Sequence, residues 1–507
     1  MSSSNSETRS INVEVRKPNL CKRYFGWIRY VSVEPTMWLY MMAYMTTSVV
    51  EQAFYVNKAC RVDHGLSEEI CDNLTGNDTL QTEVQVTVST FQQWNDIASH
   101  AFPIILALFN GNWSDRRGRK APLVIALIGK IIFSFMIVVN SVMDTWTLNM
   151  VLYTASLPMA ILGSDVAIFA SCFSYISDVS SVTQRTIRVA ILDVVYLSTM
   201  PTGISLGSYL FNNVVNKSYT IMFAINGTLL ILAVIYSVLR LEMRTTPQQM
   251  PLDRGSNVFL DYFDKKHVVA SINTLIKPRP ERRRLYLWTL LLAMALYTFQ
   301  RNEREKSYLY TVKTFSWDVA TFSRFRTVQS SLFVVAMLFG IPIMSKVFRM
   351  RDTLIVAVGA ISHASGRVFY ATATSPALFY VGAVVAALGP IVAPVLRSMM
   401  SKVVPVSERG KVFALLSVCD NAVPLVSTVL YSQLYNATVK TTPSSIYWLT
   451  FSTQIAVLLL SMVIHVSLGS RRLESVNEET DSICSSPELT KNDPSLESFD
   501  EKTNAVA

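Results

Sequence analysis

Asp193 falls about two turns into an apolar run that extends from about 187 to 211, and Arg397 falls late in another, after Gly389-Pro390 and Pro394. A charged side chain at mid-helix in lipid costs about 2.5 to 3.5 kcal/mol on insertion scales, so each requires a partner or an aqueous cavity. A carboxylate so placed can take up and release a proton, and a fixed guanidinium can hold an anion or reset a proton-bearing acid. The structural alternatives are an acid paired for folding and an arginine that snorkels to the surface. Asp165, Lys130, and His363 with Arg367 also stand in apolar runs and read equally as cavity residues or as structural pairs. The densest stretch is Gln300-Arg301-Asn302-Glu303-Arg304-Glu305-Lys306, which interrupts an apolar span and cannot face lipid. Either it is the outer, water-lined half of a gating helix, with Arg324, Arg326 and Gln329 of the next helix beside it, or the helix ends at Gln300 and an external loop begins. The apolar character that returns over Tyr308 to Val312 favours the first.

These residues need helices to hold them. A chain of 507 residues with 50% hydrophobic and only 16% charged residues is too apolar for soluble packing and reads as a polytopic membrane protein. The net charge of +9 is topological, because Lys and Arg collect in the loops between apolar runs, and no nucleic-acid partner is implied. Apolar runs predict helices at about 34–55, 88–110, 122–142, 149–172, 187–211 and 220–239, then at about 285–312, 318–344, 353–372, 376–400, 411–434 and 446–468. The expected fold is all-α, with twelve transmembrane helices in two six-helix halves: 33–240 and 285–469. A cytosolic segment precedes them at 1–32, a basic cytosolic linker spans 241–284, and a Ser- and Glu-rich tail, expected to be disordered, covers 470–507. Part of the linker, Asn257 to Ile276, can lie on the membrane as an amphipathic helix. Both termini fall on the cytosolic side, and no cleaved signal peptide is evident.

The acidic loop after the first helix carries sequons at Asn73 and Asn77 and the cysteines Cys60 and Cys71, so it faces an oxidising exterior or lumen and predicts a Cys60–Cys71 disulfide. Asn216 and Asn436 are sequons on the same side. Asn112 would be cytosolic and Asn226 in the bilayer, so neither is expected to carry glycan. Cys21, Cys172, Cys419 and Cys484 read as free thiols, and no Cys/His spacing fits zinc or another metal. No nucleophile or phosphate-cradle constellation stands in the loops, so an enzyme is not expected, and there are no catalytic residues to name.

Between the second and third helices lies Gly111 to Lys120, a short basic hinge in which Asp115, Arg116, Arg119 and Lys120, with Arg117, suit an ion-paired latch on the cytosolic side. Lys346 to Asp352 stands where a second half would carry its counterpart.

The hinge pattern G-x-x-S-D-x-x-G-R-K resembles the loop between helices 2 and 3 of major facilitator transporters. With Val33-Glu34-Pro35, Asp178-Val179-Ser180-Ser181, Arg185-Thr186-Ile187-Arg188, Trp317-Asp318 and Pro394-Val395-Leu396-Arg397, the chain is similar to the solute carrier 46 family, which includes the proton-coupled folate transporter and the thymic stromal cotransporter. The resemblance implies proton-driven symport of an anionic, multi-ring or peptide-like solute, folate-like, pterin-like or muropeptide-like, with protons as the coupling ion and no other cofactor. It implies coupling roles for Asp193 and Arg397, and His267 falls near a linker histidine of the folate transporter; from their positions alone, Arg397 is also expected to hold the anion, with Gln300, Arg301, Arg324 and Asp165 as further substrate or coupling residues. Two departures accompany it: Gln300 replaces a helix 7 histidine and cannot titrate, and Ser316 replaces the cysteine before Trp-Asp. The expected partners are a small organic anion and the lipid bilayer of a plasma or lysosomal membrane. The rival readings are a proton-independent facilitator of an amphiphile and a ligand-binding receptor without flux.

Overall fold

The computed structural model describes residues 31–469 except 181–183, 247–248, 250–260, 264–282 and 405. His267, Cys21, Cys484, the N-terminal segment, the tail and almost all of the expected surface helix lie outside the described residues.

The apolar runs fold as helices in the expected order. They are α1 Glu34–Lys58, α2 Asp78–Arg117, α3 Lys120–Val142, α4 Asn149–Asp178, α5 Arg185–Tyr209 and α6 Tyr219–Arg240. Then come α7 from Arg283–Thr298 through a 3-10 turn at Phe299–Asn302 into Glu303–Phe315, α8 Val319–Val347, α9 Asp352–Ala371, α10 Pro376–Val403, α11 Val406–Thr438 and α12 Ser445–Leu468. Side chains cap several of them: Asn77, Ser218, Asp318 and Ser375 each accept a backbone N–H of the first turn. Pro35 sits in the first turn of α1, where its missing N–H leaves no bond unmade.

Among the described residues, eight helices are long and apolar enough to cross a membrane, and α1, α2, α7 and α11 are not among them. Those four carry many of the buried polar side chains, among them Lys58, Gln85, Asp96, Lys306 and Asp420. Large apolar residues such as Phe135, Val335, Leu459 and Val463 stand exposed on the others, as lipid-facing surface does.

The second helix is longer than its apolar run. It begins at Asp78, because Asn77 caps it and its polar first half packs against other helices, and it continues to Arg117. The basic hinge is therefore mostly the last two turns of α2, and the turn itself is Gly118-Arg119. Gly118 has φ +118°, and a Cβ there would collide with the carbonyl oxygen of Met243 at 2.0 Å.

Cys60 and Cys71 are disulfide-bonded with Cα atoms 5.8 Å apart, tying the π turn after α1 to the short helix Glu68–Asp72. We call this the disulfide end. Asn73, Asn77 and Asn216 are exposed there. Asn436 differs: it lies within α11, half-buried, and its amide donates to Thr90 Oγ1 at 3.2 Å. Asn226 donates to Ala43 O at 2.7 Å and Thr47 Oγ1 at 2.9 Å, joining α6 to α1.

The buried apolar residues form two main clusters. One cluster runs through α1–α6 and continues, at the disulfide end, into Tyr308, Tyr310, Trp317, Phe325, Phe379 and Tyr447 of the later helices. The other, including Leu290, Val356, Leu396 and Val457, belongs to α7–α12 alone, away from that end. The first six and last six helices thus share a core at the disulfide end and have separate cores elsewhere.

Close approach of α5 to α1 depends on two glycines one turn apart. A Cβ on Gly207 would stand 2.0 Å from Thr46 O, and one on Gly203 2.6 Å from Met45 Cβ. Gly207→Val is therefore expected to shift most of the protein from a monodisperse peak to aggregate in detergent gel filtration. Gly111→Ala, whose Cβ meets nothing within 4 Å, keeps the wild-type profile.

Candidate functional site

Gln81, Gln85, Ser89, Gln92 and Asp96 recur every three or four residues along α2, so they form one polar stripe. The stripe meets a matching one on α7. Gln81 Nε2 donates to Val312 O at 3.3 Å and Gln85 Nε2 to Leu309 O at 3.0 Å. Lys306 Nζ donates to Ser89 O at 3.1 Å and Gln92 Oε1 at 2.8 Å, and Asn302 Nδ2 to Asp96 Oδ2 at 2.6 Å. From α11, Tyr435 OH donates to Gln85 Oε1 at 3.0 Å and Thr428 Oγ1 to Asp96 Oδ2 at 2.8 Å. Lys313 pairs with Asp78 at the outermost turn. The polar start of α2 is therefore a dry seam as far as Asp96. Asn95 and His100 do line the cavity that begins there. The polar stretch of α7 is helical and not an external loop, because its 3-10 turn returns to helix; one face is packed on the α2 stripe and not lined by water as expected, while Arg301 and Arg304 face the cavity.

Beyond the seam a cavity of about 1760 Å³ opens between the two sets of helices and extends to Asp115, Arg119, Asp178 and Tyr262 at the end opposite the disulfide. Asp165 lines it, accepting from Tyr40 OH and from Lys130 Nζ at 2.5 Å. Asp193 on α5 projects into it within the electrostatic reach of Arg397 on α10. Arg397, 49% exposed, is paired with Asp420 of α11 at 3.2 Å, and Asp420, 10% exposed, also accepts from Thr298 Oγ1 at 3.1 Å. Nothing in the sequence pattern singled out Asp420. Its only signal was that it is an acid in the apolar stretch of α11.

Arg301 lines the cavity, as do Arg304 and Arg326. Arg324 does not: it is exposed, and its Nη2 donates to Thr321 Oγ1 at 3.2 Å. Two residues apart on a helix means roughly 200° of rotation, so Arg326 faces inward and Arg324 outward. Gln300 sits behind the cavity wall, accepting from Arg367 Nη2 at 3.4 Å. Arg367 is not a cavity residue either. Its Nε donates to Glu303 Oε2 at 2.9 Å in a pair only 6% and 4% exposed, and its guanidinium lies over the Tyr370 ring at 5.1 Å. His363 is buried beneath Gly389.

The basic hinge is a crossing of ion pairs. Arg119 bonds Asp115, the Ser114 hydroxyl at 2.6 Å and Asp178 at the end of α4 at 3.0 Å. Lys120 Nζ donates to the terminal carbonyls of α6, Val238 O at 2.7 Å and Leu241 O at 2.8 Å. Arg116 and Arg117 turn to the linker: Arg117 holds Asp261 at 2.8 Å, joined by Trp113 Nε1 at 3.0 Å. The Arg117 hydrogen bond keeps the Asp261 carboxyl below the usual carboxylate range. In the later helices Asp352, opening α9, pairs with Lys402 near the end of α10 at 2.6 Å. The two pairs occupy equivalent places with their signs exchanged: a cation just before α3 meets an acid ending α4, and an acid opening α9 meets a cation near the end of α10.

A bundle of long helices around one charged cavity, sealed by a cross-bundle seam at one end, is the architecture of a membrane transporter that works by alternating access. The chain belongs to the Major Facilitator Superfamily, whose profile matches residues 36–361. It is 26% identical over 456 residues to the probable peptidoglycan muropeptide transporter SLC46 of Drosophila melanogaster, covering 85% of each chain. It is 26% identical over 430 residues to the lysosomal proton-coupled steroid conjugate and bile acid symporter SLC46A3 of Gallus gallus, over 80% of this chain and 88% of that one. To the proton-coupled folate transporter of Rattus norvegicus it is 24% identical over 378 residues, 73% and 77% of the two chains. Among solved structures, a D-xylose-proton symporter superposes with a TM-score of 0.61 over 86% of this chain and 97% of that chain at 15% identity, a likeness of fold. The chain is a multi-pass membrane transporter and not an enzyme.

Proposed function

We propose that the protein is a twelve-span symporter in two six-helix halves, 33–240 and 285–469, that moves an organic anion into the cytosol on a proton gradient. The disulfide and the exposed sequons support an exterior or luminal disulfide end, and the basic latches support a cytosolic opposite end, with both termini on that side. The conformation described is then the inward-open one, held by the α2–α7–α11 seam. Asp115, Arg116, Arg119 and Lys120 act as the inside latch and do not touch substrate.

The observation that carries this reading is the triad Asp193, Arg397 and Asp420. Two carboxylates and one guanidinium face a single cavity, with the guanidinium paired to Asp420 and within reach of Asp193. Protonation of Asp193 leaves one acid for one arginine, and its release makes two acids compete for it. That is a charge-dependent equilibrium between two packings, which coupling requires. Relatives named for muropeptides, for steroid conjugates and bile acids, and for folate support a ring-bearing or amphiphilic anion as cargo. The membrane is the plasma or the lysosomal membrane.

The test is flux of folates, pterins, muropeptides and bile acids in proteoliposomes with and without an imposed pH gradient. At least one class is expected to accumulate only with the gradient. Flux that ignores the gradient selects a facilitator, and binding without flux selects a receptor.

A further inference from the structure

The charges that face the cavity are unevenly matched. Asp165 is answered by Lys130, Arg397 by Asp420 and Arg119 by Asp115 and Asp178. Arg304 on α7 and Arg326 on α8 line the same cavity, and among the described residues neither has a carboxylate within 4.0 Å. Each stands in the field of the other, and Arg367 adds a third cation behind Arg326. Arg367 is occupied by Glu303, so its charge is already countered.

Arg326 is also held in place. Its Nη1 donates to Gln329 Oε1 at 2.5 Å, and Gln329 Nε2 in turn donates to Tyr370 OH at 2.9 Å, both well inside the protein. The next acid on α7, Glu305, lines the cavity as well, but it lies in the field of Asp96, Lys306 and Glu51 and makes no ion pair with either arginine among the described residues. Two like charges that line both the cavity and one small recess beside it, one of them with a fixed orientation, suit an oxyanion that draws on both guanidiniums.

The facing wall carries Asp165 and Asp193 but also a broad apolar surface. Met45 of α1, Phe169 and Phe173 of α4, and Tyr196 and Met200 of α5 present rings and thioethers to the cavity, with Tyr44 beside them. Flat apolar bodies pack on such a surface.

We propose that Arg304 and Arg326 are the anion subsite of this transporter, and that its cargo is a ring-bearing amphiphile whose oxyanion end, carboxylate or sulfonate-like, bridges them while its body lies on the aromatic and methionine wall of α1, α4 and α5. Arg397, already neutralised by Asp420, serves coupling and leaves recognition to the pair. The assignment rests on the transport reading for the role of the cavity.

Equilibrium binding separates the two. Full-length protein in lipid nanodiscs is titrated with 1-pyrenesulfonate and with the neutral 1-pyrenemethanol. Wild type is expected to hold the sulfonate about tenfold or more tighter than the alcohol, from charge-assisted hydrogen bonds alone. Arg304→Gln and Arg326→Gln each bring the ratio to about one while leaving the alcohol's affinity as it was, which also certifies the fold. Arg326→Lys retains part of the preference, and Arg324→Gln, outside the cavity, retains all of it. An unchanged ratio in both glutamine variants, or no preference for the sulfonate in wild type, overturns the subsite. A charge preference that disappears in the two variants, together with no flux of any anion in proteoliposomes, overturns the transport reading and leaves the subsite standing.

Discussion

Asp193→Asn will leave counterflow exchange of substrate running and remove its uphill accumulation. The amide mimics the protonated acid, so one arginine and one acid, Arg397 and Asp420, remain paired at 3.2 Å whatever the pH. The alternation between two packings can still be driven by substrate on either side. It can no longer be driven by protons, because the competition for Arg397 that a charged Asp193 introduces is gone. With 1:1 coupling a gradient of one pH unit supports about tenfold accumulation, and the variant is expected to show none. Uptake against a gradient in proteoliposomes that remains pH-driven in Asp193→Asn would remove this residue from coupling. Asp420→Asn is the companion: it frees Arg397 for Asp193 and is expected to slow exchange as well as accumulation.

Arg367→Met will destabilise the protein more than any substitution inside the cavity. The guanidinium is 6% exposed and answers a carboxylate that is 4% exposed, so its removal leaves Glu303 charged and alone in a dry interior beneath Tyr370 and Tyr431. Breaking such a pair from one side costs about 3 to 5 kcal/mol, whereas replacing both partners by apolar residues of similar volume is often neutral. The midpoint of thermal unfolding in detergent is expected to fall on the order of 10 °C in Arg367→Met and to recover most of that in Glu303→Leu/Arg367→Met. A small shift in the single variant would mean that water reaches Glu303. The same pair locks the 3-10 break of α7 to α9, which gives the seam residues Asn302 and Lys306 a fixed platform.

The two experiments probe different layers of one design. The coupling residues stand in the wet cavity, where a change of charge alters an equilibrium without unfolding anything. The Glu303–Arg367 pair stands behind the wall, where the same change has no solvent to relieve it.

Much of this was legible in the chain. Apolar runs long enough to span a bilayer placed the helices, and the polar loop with Cys60 and Cys71 placed the disulfide, because each depends on residues close in sequence. The basic residues of Gly111 to Lys120 announced an ion-paired turn, and Arg119 and Asp115, four apart across the Gly118 turn, do meet. Asp193, Asp165 and Arg397 were visible as charges in apolar surroundings, and all three reach the cavity. What local pattern could not supply was partnership. Arg397 with Asp420, Glu303 with Arg367, and Asp96 with Asn302 and Thr428 join residues on different helices, and which faces meet is set by how the helices dock. Docking turned the polar stripe of α2 into a seam, put Arg326 in the cavity and Arg324 outside it, and moved Gln300 behind the wall. The sequence by itself determined that charge would be carried into the membrane and on which helices. Only the tertiary structure decided which charges are answered and which are left facing the cavity, because the free energy of a buried charge depends on what stands opposite it.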